Sequence, residues 1–355
     1  MEKKTMKAAV LDRPLSIAVK EVAVPQPGPN EALVQVYCIG ICGSDVHFYE
    51  HGRIGRYEVK QPIILGHELA GTVVQVGAAV KNVAVGDRVA VEPGVACGRC
   101  DYCKGGRYNL CPDVVFMATP PVDGAWAEYV AVRSDFLFKL PDSLSFEEGA
   151  LLEPLSVGIH AMTRGRVKPS DRVLVTGLGP IGLLAIEAAK LFGVNEIYGS
   201  DVLAGRRDMA LDMGVSGVLN PAADTPMKEE LDRLTIGAGI DIIIETSGSG
   251  RAISDSLGLV KRGGRIVFVG LPAADAIPVN ISALVDAELD VYGLFRYANT
   301  YPMAIQALSG RKNSVTKVIT HAFSLDAIEQ AVETARTEKE TSTKIMIYPN
   351  GEKKP

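Results

Sequence analysis

Arg172-Val173-Leu174-Val175-Thr176-Gly177-Leu178-Gly179-Pro180-Ile181-Gly182 is the stretch that decides the fold. A β-rich apolar run leads directly into a Gly-x-Gly-x-x-Gly turn, and the Ala- and Leu-rich spacing from Ile181 to Phe192 is helical. In that setting Gly177 makes the tight turn and Gly179 lets backbone approach a pyrophosphate. Gly182 permits close helix packing, while the helix N-terminus favours phosphate charge. Asp201 follows 19 residues after Gly182, at the end of the next strand-like run, Glu196-Ile197-Tyr198-Gly199-Ser200. A carboxylate there accepts hydrogen bonds from the adenosine ribose and repels a 2′-phosphate, which points to NAD rather than NADP. Arg206 and Arg207 are the neighbours able to greet such a phosphate.

Downstream, the alternation continues. A helix is expected over Arg206 to Met213, ended by Gly214. Strands are expected at Asp241 to Glu245, Arg265 to Val269 and Leu289 to Tyr292. Continuous apolar strands separated by helices imply a doubly wound parallel sheet covered on both faces. Upstream, the first ~150 residues read as short β-branched strands broken by Gly and Pro, among them Leu33 to Ile39, Gly71 to Val76 and Asp87 to Val91. From Pro302 the tail shows two amphipathic helical stretches and a last strand, Lys344 to Tyr348. The fold class is therefore α/β with a β-rich first part, and 355 residues fit two domains.

Hydrophobic residues make up 47% and charged residues 22%, which excludes a disordered or fibrous chain. A formal charge of −5 is a poor footprint for nucleic acid or an anionic membrane. The start, Met1-Glu2-Lys3-Lys4-Thr5, has no apolar signal region, and the longest uncharged run, Val173 to Ile186, is too short to span a bilayer. A cytoplasmic protein with reduced thiols is expected.

Four of the six cysteines, Cys97, Cys100, Cys103 and Cys111, fall within fifteen residues. Four thiolates around one ion make a closed structural zinc site; disulfides, a redox sensor and an iron–sulfur centre are the alternatives. A looser set comprises Cys42 in Gly40-Ile41-Cys42-Gly43-Ser44-Asp45-Val46-His47, the pair His67-Glu68, and Glu153. Mixed Cys, His and carboxylate ligands with a place for water describe an open catalytic zinc site. Spacing alone also admits a buried Cys42 and an ordinary His67-Glu68 loop pair. A zinc module for nucleic acid is disfavoured, because Arg99, Lys104 and Arg107 form no basic stripe against Asp101 and Asp113. An inactive NAD-sensing scaffold is disfavoured by the intact Cys42, His67 and Glu68 set.

Together these motifs resemble the zinc-containing medium-chain dehydrogenases over essentially the whole chain. Three further stretches resemble the sorbitol (polyol) and xylitol dehydrogenases: His51-Gly52-Arg53-Ile54-Gly55, Glu153-Pro154-Leu155-Ser156-Val157-Gly158 and Phe295-Arg296-Tyr297-Ala298-Asn299-Thr300. The resemblance implies a GroES-like catalytic domain at 1–156 with a zinc lobe at 94–113, a Rossmann domain at 157–292, and a C-terminal return to the catalytic domain at 293–355. It implies two zinc ions per chain, the catalytic one on Cys42, His67 and Glu68 with Glu153 reaching it directly or through water. Substrate contacts would come from Glu153, Phe116, Arg296, Tyr297 and the position of Phe48, where many sorbitol dehydrogenases carry Tyr. NAD contacts would come from Gly177, Gly179, Ile181, Gly182, Asp201, Arg206, Val269, Gly270, Leu271, Leu294, Phe295 and Arg296. Ser44 and His47 are the expected proton relay, with Glu153 and a water as the rival route. The implied reaction oxidises sorbitol or xylitol to its ketose in a homotetramer; a zinc enzyme for butanediol, threonine or a simple secondary alcohol is the alternative.

Overall fold

The computed structural model describes residues 4–274, 276–310 and 313–351, so Met1, Glu2 and Lys3 of the N-terminal reading lie outside the described residues. The chain divides into two compact units. One comprises Met1–Glu153, Tyr301–Lys312 and Ile319–Pro355, the other Pro154–Thr300 and Asn313–Val318.

The second unit is built on a six-stranded sheet. Its order is Gly217–Leu219, Glu196–Ser200, Arg172–Thr176, Ile240–Glu245, Val260–Phe268, Asp290–Gly293, and every pair is parallel. The first two strands in the chain are Arg172–Thr176 and Glu196–Ser200, so the sheet winds outward to one side and then, from Ile240–Glu245, to the other. The crevice at that reversal, beyond the strands' carboxyl ends, is where such sheets bind dinucleotides. Val173, Leu174, Val175, Ile242, Ile243 and Ile244 have no exposed surface, as strands covered on both faces require. Helix Pro180–Leu191 begins with Pro at its first position, where no backbone N–H is needed. The helix expected over Arg206 to Met213 forms as Ala204–Asp212, and Gly214 beyond it takes φ +84°.

In the first unit, strand Glu31–Gly40 is the spine. It pairs antiparallel with Glu68–Val76 along one edge, and with Tyr129–Arg133 and then Lys344–Tyr348 along the other. A hairpin, Thr5–Arg13 with Ser16–Ala23, forms a smaller sheet completed by Ile63–Ile64. The core gathers Val34, Val36, Ile39, Leu65, Leu69 and Trp126 with Ile328, Ala331 and Val332 of the C-terminal helix Ile328–Thr337. The strand Ile319–Ser324 runs parallel beside Lys344–Tyr348.

The division differs from the sequence-based boundaries at 156/157 and 292/293. It falls at 153/154 and 300/301. Gly293 still belongs to the last parallel strand, and Leu294 N donates to Phe268 O at 3.1 Å. Residues 313–318 also return to the second unit, because Val315 and Val318 are fully buried and Ser314 Oγ donates to Glu187 Oε2 at 2.5 Å.

Candidate metal centres and dinucleotide site

Register brings the first candidate centre together. Gly40 pairs with Glu68 across the two central strands, so Cys42, two residues past one strand end, meets His67, one residue before the other. Ligand atoms of Cys42, His67 and Glu68 all lie within 4.8 Å of one another. Cys42 caps helix Gly43–His51, whose positive end suits an anionic sulfur ligand. The wholly buried Asp45 locks this corner: its Oδ2 accepts from Cys42 N at 2.9 Å and its Oδ1 from Gly66 N at 3.1 Å. Asp45 Oδ1 also lies 3.7 Å from His67 Nδ1. Gly66 takes φ +88°, and a Cβ there would lie 2.2 Å from Trp126 Cδ1.

Glu68 is held by a residue the sequence did not single out. Buried Lys344 donates to Glu68 Oε1 at 2.8 Å, Glu68 Oε2 at 2.6 Å and Ile41 O at 2.9 Å. Burial works against the Lys344 ammonium, but Glu68 and Cys42 outweigh it and raise its pKa. Burial likewise works against the His67 imidazolium, and Asp45, Cys42 and Glu153 carry it well above the usual histidine range. Nδ1 of His67 is buried without a hydrogen-bond partner. An excess of negative charge around an orphaned imidazole is what a divalent cation would balance. Each Glu68 oxygen keeps a lone pair beyond the one Lys344 uses, so the donor set fits zinc.

Glu153, 6% exposed on helix Phe146–Arg164, acts on His67 and Lys344 by charge but is not among the three converging ligands. Phe116 lies edge-on to His67 with ring centroids 5.6 Å apart. Ser44 is half-buried and His47 exposed on the helix that Cys42 caps, while Phe48 points into the core at 3% exposure. Of the remaining histidines, His160 is pushed down to about 4 by burial and Arg164, and His321 Nδ1 meets Thr320 Oγ1 at 3.0 Å.

The second centre is the cysteine lobe. Cys97, Cys100, Cys103 and Cys111 are free thiols, with Sγ atoms 3.9 Å apart for Cys97–Cys103 and 3.4 Å for Cys100–Cys103. Zinc–sulfur bonds of ~2.3 Å in a tetrahedron place sulfurs roughly 3.8 Å apart, so this cage has the dimensions of a zinc site. Backbone N–H groups of Arg99 and Cys100 draw Cys97 down to about 6, while burial and Cys100 push Cys103 up to about 12. Without a cation, charge on one thiol opposes charge on the next.

In the second unit, Gly177 takes φ +83°, and a Cβ at Gly182 would lie 1.8 Å from Gly177 O. A Cβ at Gly179 meets only Arg206 Nη1, at 3.7 Å, which leaves the helix start open to a phosphate. Asp201 Oδ2 accepts from Leu178 N at 2.7 Å and Oδ1 from Leu203 N at 2.9 Å; Arg206 Nη1 is 3.7 Å from Oδ2. Gly177, Asp201, Ser249 and Arg251 line one cavity of about 240 Å³. The loop after Ile240–Glu245 was not foreseen there. Buried Glu245 shapes it, its Oε1 accepting from Ser247 N at 2.8 Å and Gly248 N at 3.1 Å. A Cβ at Gly270 would lie 2.2 Å from Gly248 N, which brings Val269, Gly270 and Leu271 beside that loop. Ile181 is half-buried at the first helical turn. Beyond Leu294, Phe295 is half-exposed with the Arg296 guanidinium 4.8 Å from its ring centroid, Arg296 takes φ +52°, and Tyr297 is buried.

Residues 28–142 match the alcohol dehydrogenase GroES-like domain and residues 180–310 match the zinc-binding dehydrogenase family. A sorbitol dehydrogenase of Bacillus subtilis (strain 168) is 47% identical over 345 residues, covering 97% of this chain and 98% of that one. Among solved structures, a short chain alcohol dehydrogenase from E. coli complexed with NADH superposes with TM-score 0.91 at 27% identity, covering 98% of this chain and all of the other. The 2R,3R-butanediol dehydrogenase from Bacillus subtilis does so with TM-score 0.88 at 32% identity, over 97% and 100% of the two chains.

Proposed function

We propose that this chain, which belongs to the zinc-containing medium-chain dehydrogenases and within them to the sorbitol dehydrogenase family, oxidises sorbitol or xylitol to its ketose. It is an NAD-dependent polyol oxidoreductase that uses zinc. The observation that carries the site assignment is the convergence of Cys42, His67 and Glu68 within 4.8 Å at one sheet end.

Zinc held there supplies Lewis-acid polarisation of the substrate oxygen, which eases loss of its proton. The protein supplies the rest. Asp45 fixes Cys42 and His67 by binding the backbone on either side, and Lys344 fixes Glu68. Glu153 contacts the substrate hydroxyl or its water, Phe116 walls the His67 side, and Arg296 and Tyr297 bind further hydroxyls. Ser44 and His47 carry the released proton outward; the exposure of His47 supports this route over one through Glu153. NAD would be held by the Gly177–Gly182 turn, Asp201 and the loops at Val269–Leu271 and Leu294–Arg296, and would supply the hydride acceptor.

Phe48, expected from the sequence to touch substrate, lies in the core at 3% exposure and offers no hydroxyl, so it adds no polar contact that would separate sorbitol from xylitol. Self-association, with a homotetramer as the state proposed, is supported by the edge strand Asp290–Gly293, paired on one side only among the described residues, and by exposed Val279, Ile281, Val285 and Val291. No helix among the described residues is long and apolar enough to cross a membrane.

A polyol panel assayed with NAD and with NADP, alongside metal analysis, tests this function. Two zincs per chain with polyol-dependent NADH formation is the expected result. One zinc and no turnover of any alcohol would overturn it.

A further inference from the structure

Helix Gly43–His51 carries a cluster that the metal centres do not use. His47, Glu50 and His51 stand at positions i, i+3 and i+4, and so share one face of the helix. That face is open: His47 is exposed, and the side chains of His51 and Glu50 are 55% and 37% accessible. The two imidazole centroids are 5.6 Å apart at an interplanar angle of 52°. His51 Nε2 lies 3.7 Å from Glu50 Oε2. Among the described residues neither ring is hydrogen-bonded to another side chain or to backbone, so each imidazole is free to turn one nitrogen toward a shared ion.

Two imidazoles sharing one tetrahedral ion, with metal–nitrogen bonds of ~2.0–2.1 Å, hold their centroids roughly 5 Å apart. The observed separation is within a small side-chain rotation of that value. Imidazole nitrogen selects zinc, nickel and copper over magnesium and calcium, which prefer oxygen. Glu50 adds negative charge on the same face; its Oε1 faces Arg336 Nη1 at 3.6 Å, while Oε2 is turned toward His51.

We propose that His47 and His51 form a second-rank, surface bidentate site for a divalent transition cation, with Glu50 as its anionic neighbour, and that filling it withdraws His47 from proton transfer. The second half of this proposal rests on the relay assigned to His47 above. With two protein nitrogens and solvent as ligands, the site fills after the two buried centres and empties before them. Excess metal then inhibits the enzyme reversibly, without displacing the zinc that it needs.

The test titrates zinc-loaded enzyme with nickel, reading binding by calorimetry, metal content by elemental analysis and initial rates in parallel. One further equivalent per chain is expected, with turnover falling at least about a hundredfold at saturation, the lower end of what losing a proton-transfer group costs. A mild chelator restores the rate while zinc content is unchanged. His51→Ala keeps its basal turnover, loses the further equivalent and resists nickel; His47→Ala also loses the equivalent. A further equivalent that survives His51→Ala, or none in the unaltered enzyme, overturns the site. Binding that depends on His51 but leaves the rate untouched upholds the site and overturns the relay assigned to His47.

Discussion

Gly40 stands directly opposite Glu68, and a Cβ on residue 40 would lie 2.2 Å from Glu68 Oε2. The glycine is therefore the space into which the carboxylate of a candidate zinc ligand folds back toward Lys344. Gly40→Ala is expected to rotate that carboxylate away and weaken the catalytic zinc by roughly 10–100-fold, the usual cost of disturbing a ligand's support. Zinc counting after dialysis should fall from two toward one per chain, with the cysteine cage still loaded. Two retained zincs and unchanged turnover would remove Glu68 from the assigned set.

Lys344 and Glu68 form a wholly buried ion pair, each side chain 1% accessible. Removing one partner strands the other charge, a loss of about 3–5 kcal/mol, whereas replacing both leaves no charge to desolvate. Lys344→Met should lower the melting temperature, most visibly after chelator treatment, when no cation balances Glu68. The double variant Lys344→Met/Glu68→Gln should recover most of that stability yet lose turnover. Equal melting temperatures for the single variant and the parent would show that Lys344 does not stabilise Glu68.

The candidate ligands could be named from the sequence and their supports could not, for a physical reason. The four lobe cysteines stand out by side-chain chemistry and short spacing, and Gly177–Gly182 by a turn that only glycine fits, whereas Cys42, His67 and Glu68 lie too far apart for spacing to join them and were picked out by the family resemblance. Asp45 and Lys344 are ordinary charged residues whose roles come from register. Lys344 meets Glu68 across 276 residues, through a last strand paired beside Gly40, and no local pattern encodes that meeting. Glu245 is similar: its carboxylate shapes the loop opposite Gly177, but in the sequence it only ends an isoleucine run. The return of residues 313–318 depends on Ser314 finding Glu187 across 127 positions. Regular elements were readable where period and burial coincide, as in Arg172–Thr176; the short strand Gly217–Leu219 carried too few residues to show a period.

Asp201 does two things at once: it accepts from the backbone at Leu178 and Leu203, and it presents negative charge to the cavity shared with Gly177. Asp201→Asn keeps an acceptor and removes the charge. NAD should bind about tenfold more weakly as the ribose loses a charged partner, while NADP gains because the 2′-phosphate then faces Arg206 and Arg207 without a carboxylate. The ratio of kcat/KM for the two cofactors measures this. An unchanged ratio would mean that discrimination lies elsewhere in the loop.

Glu92 supplies a pH dependence whose sign is fixed by its surroundings. It is 3% exposed, Tyr108 Oη donates to its Oε1 at 2.8 Å, and burial pushes its carboxyl up to about 7 against an ordinary 4.5, with Glu153 adding in the same direction. The folded state thus keeps a proton that the unfolded chain releases. Its contribution is fully present below pH ~4.5 and is lost as pH rises toward ~7, a change of about 3 kcal/mol across that window. Glu92→Gln keeps the neutral form at every pH. Its melting temperature should match the parent's near pH 5 and exceed it near pH 8, because only the parent must bury a charge there. A difference between the two proteins that does not vary with pH would show that Glu92 is ionised throughout, with Tyr108 compensating its burial.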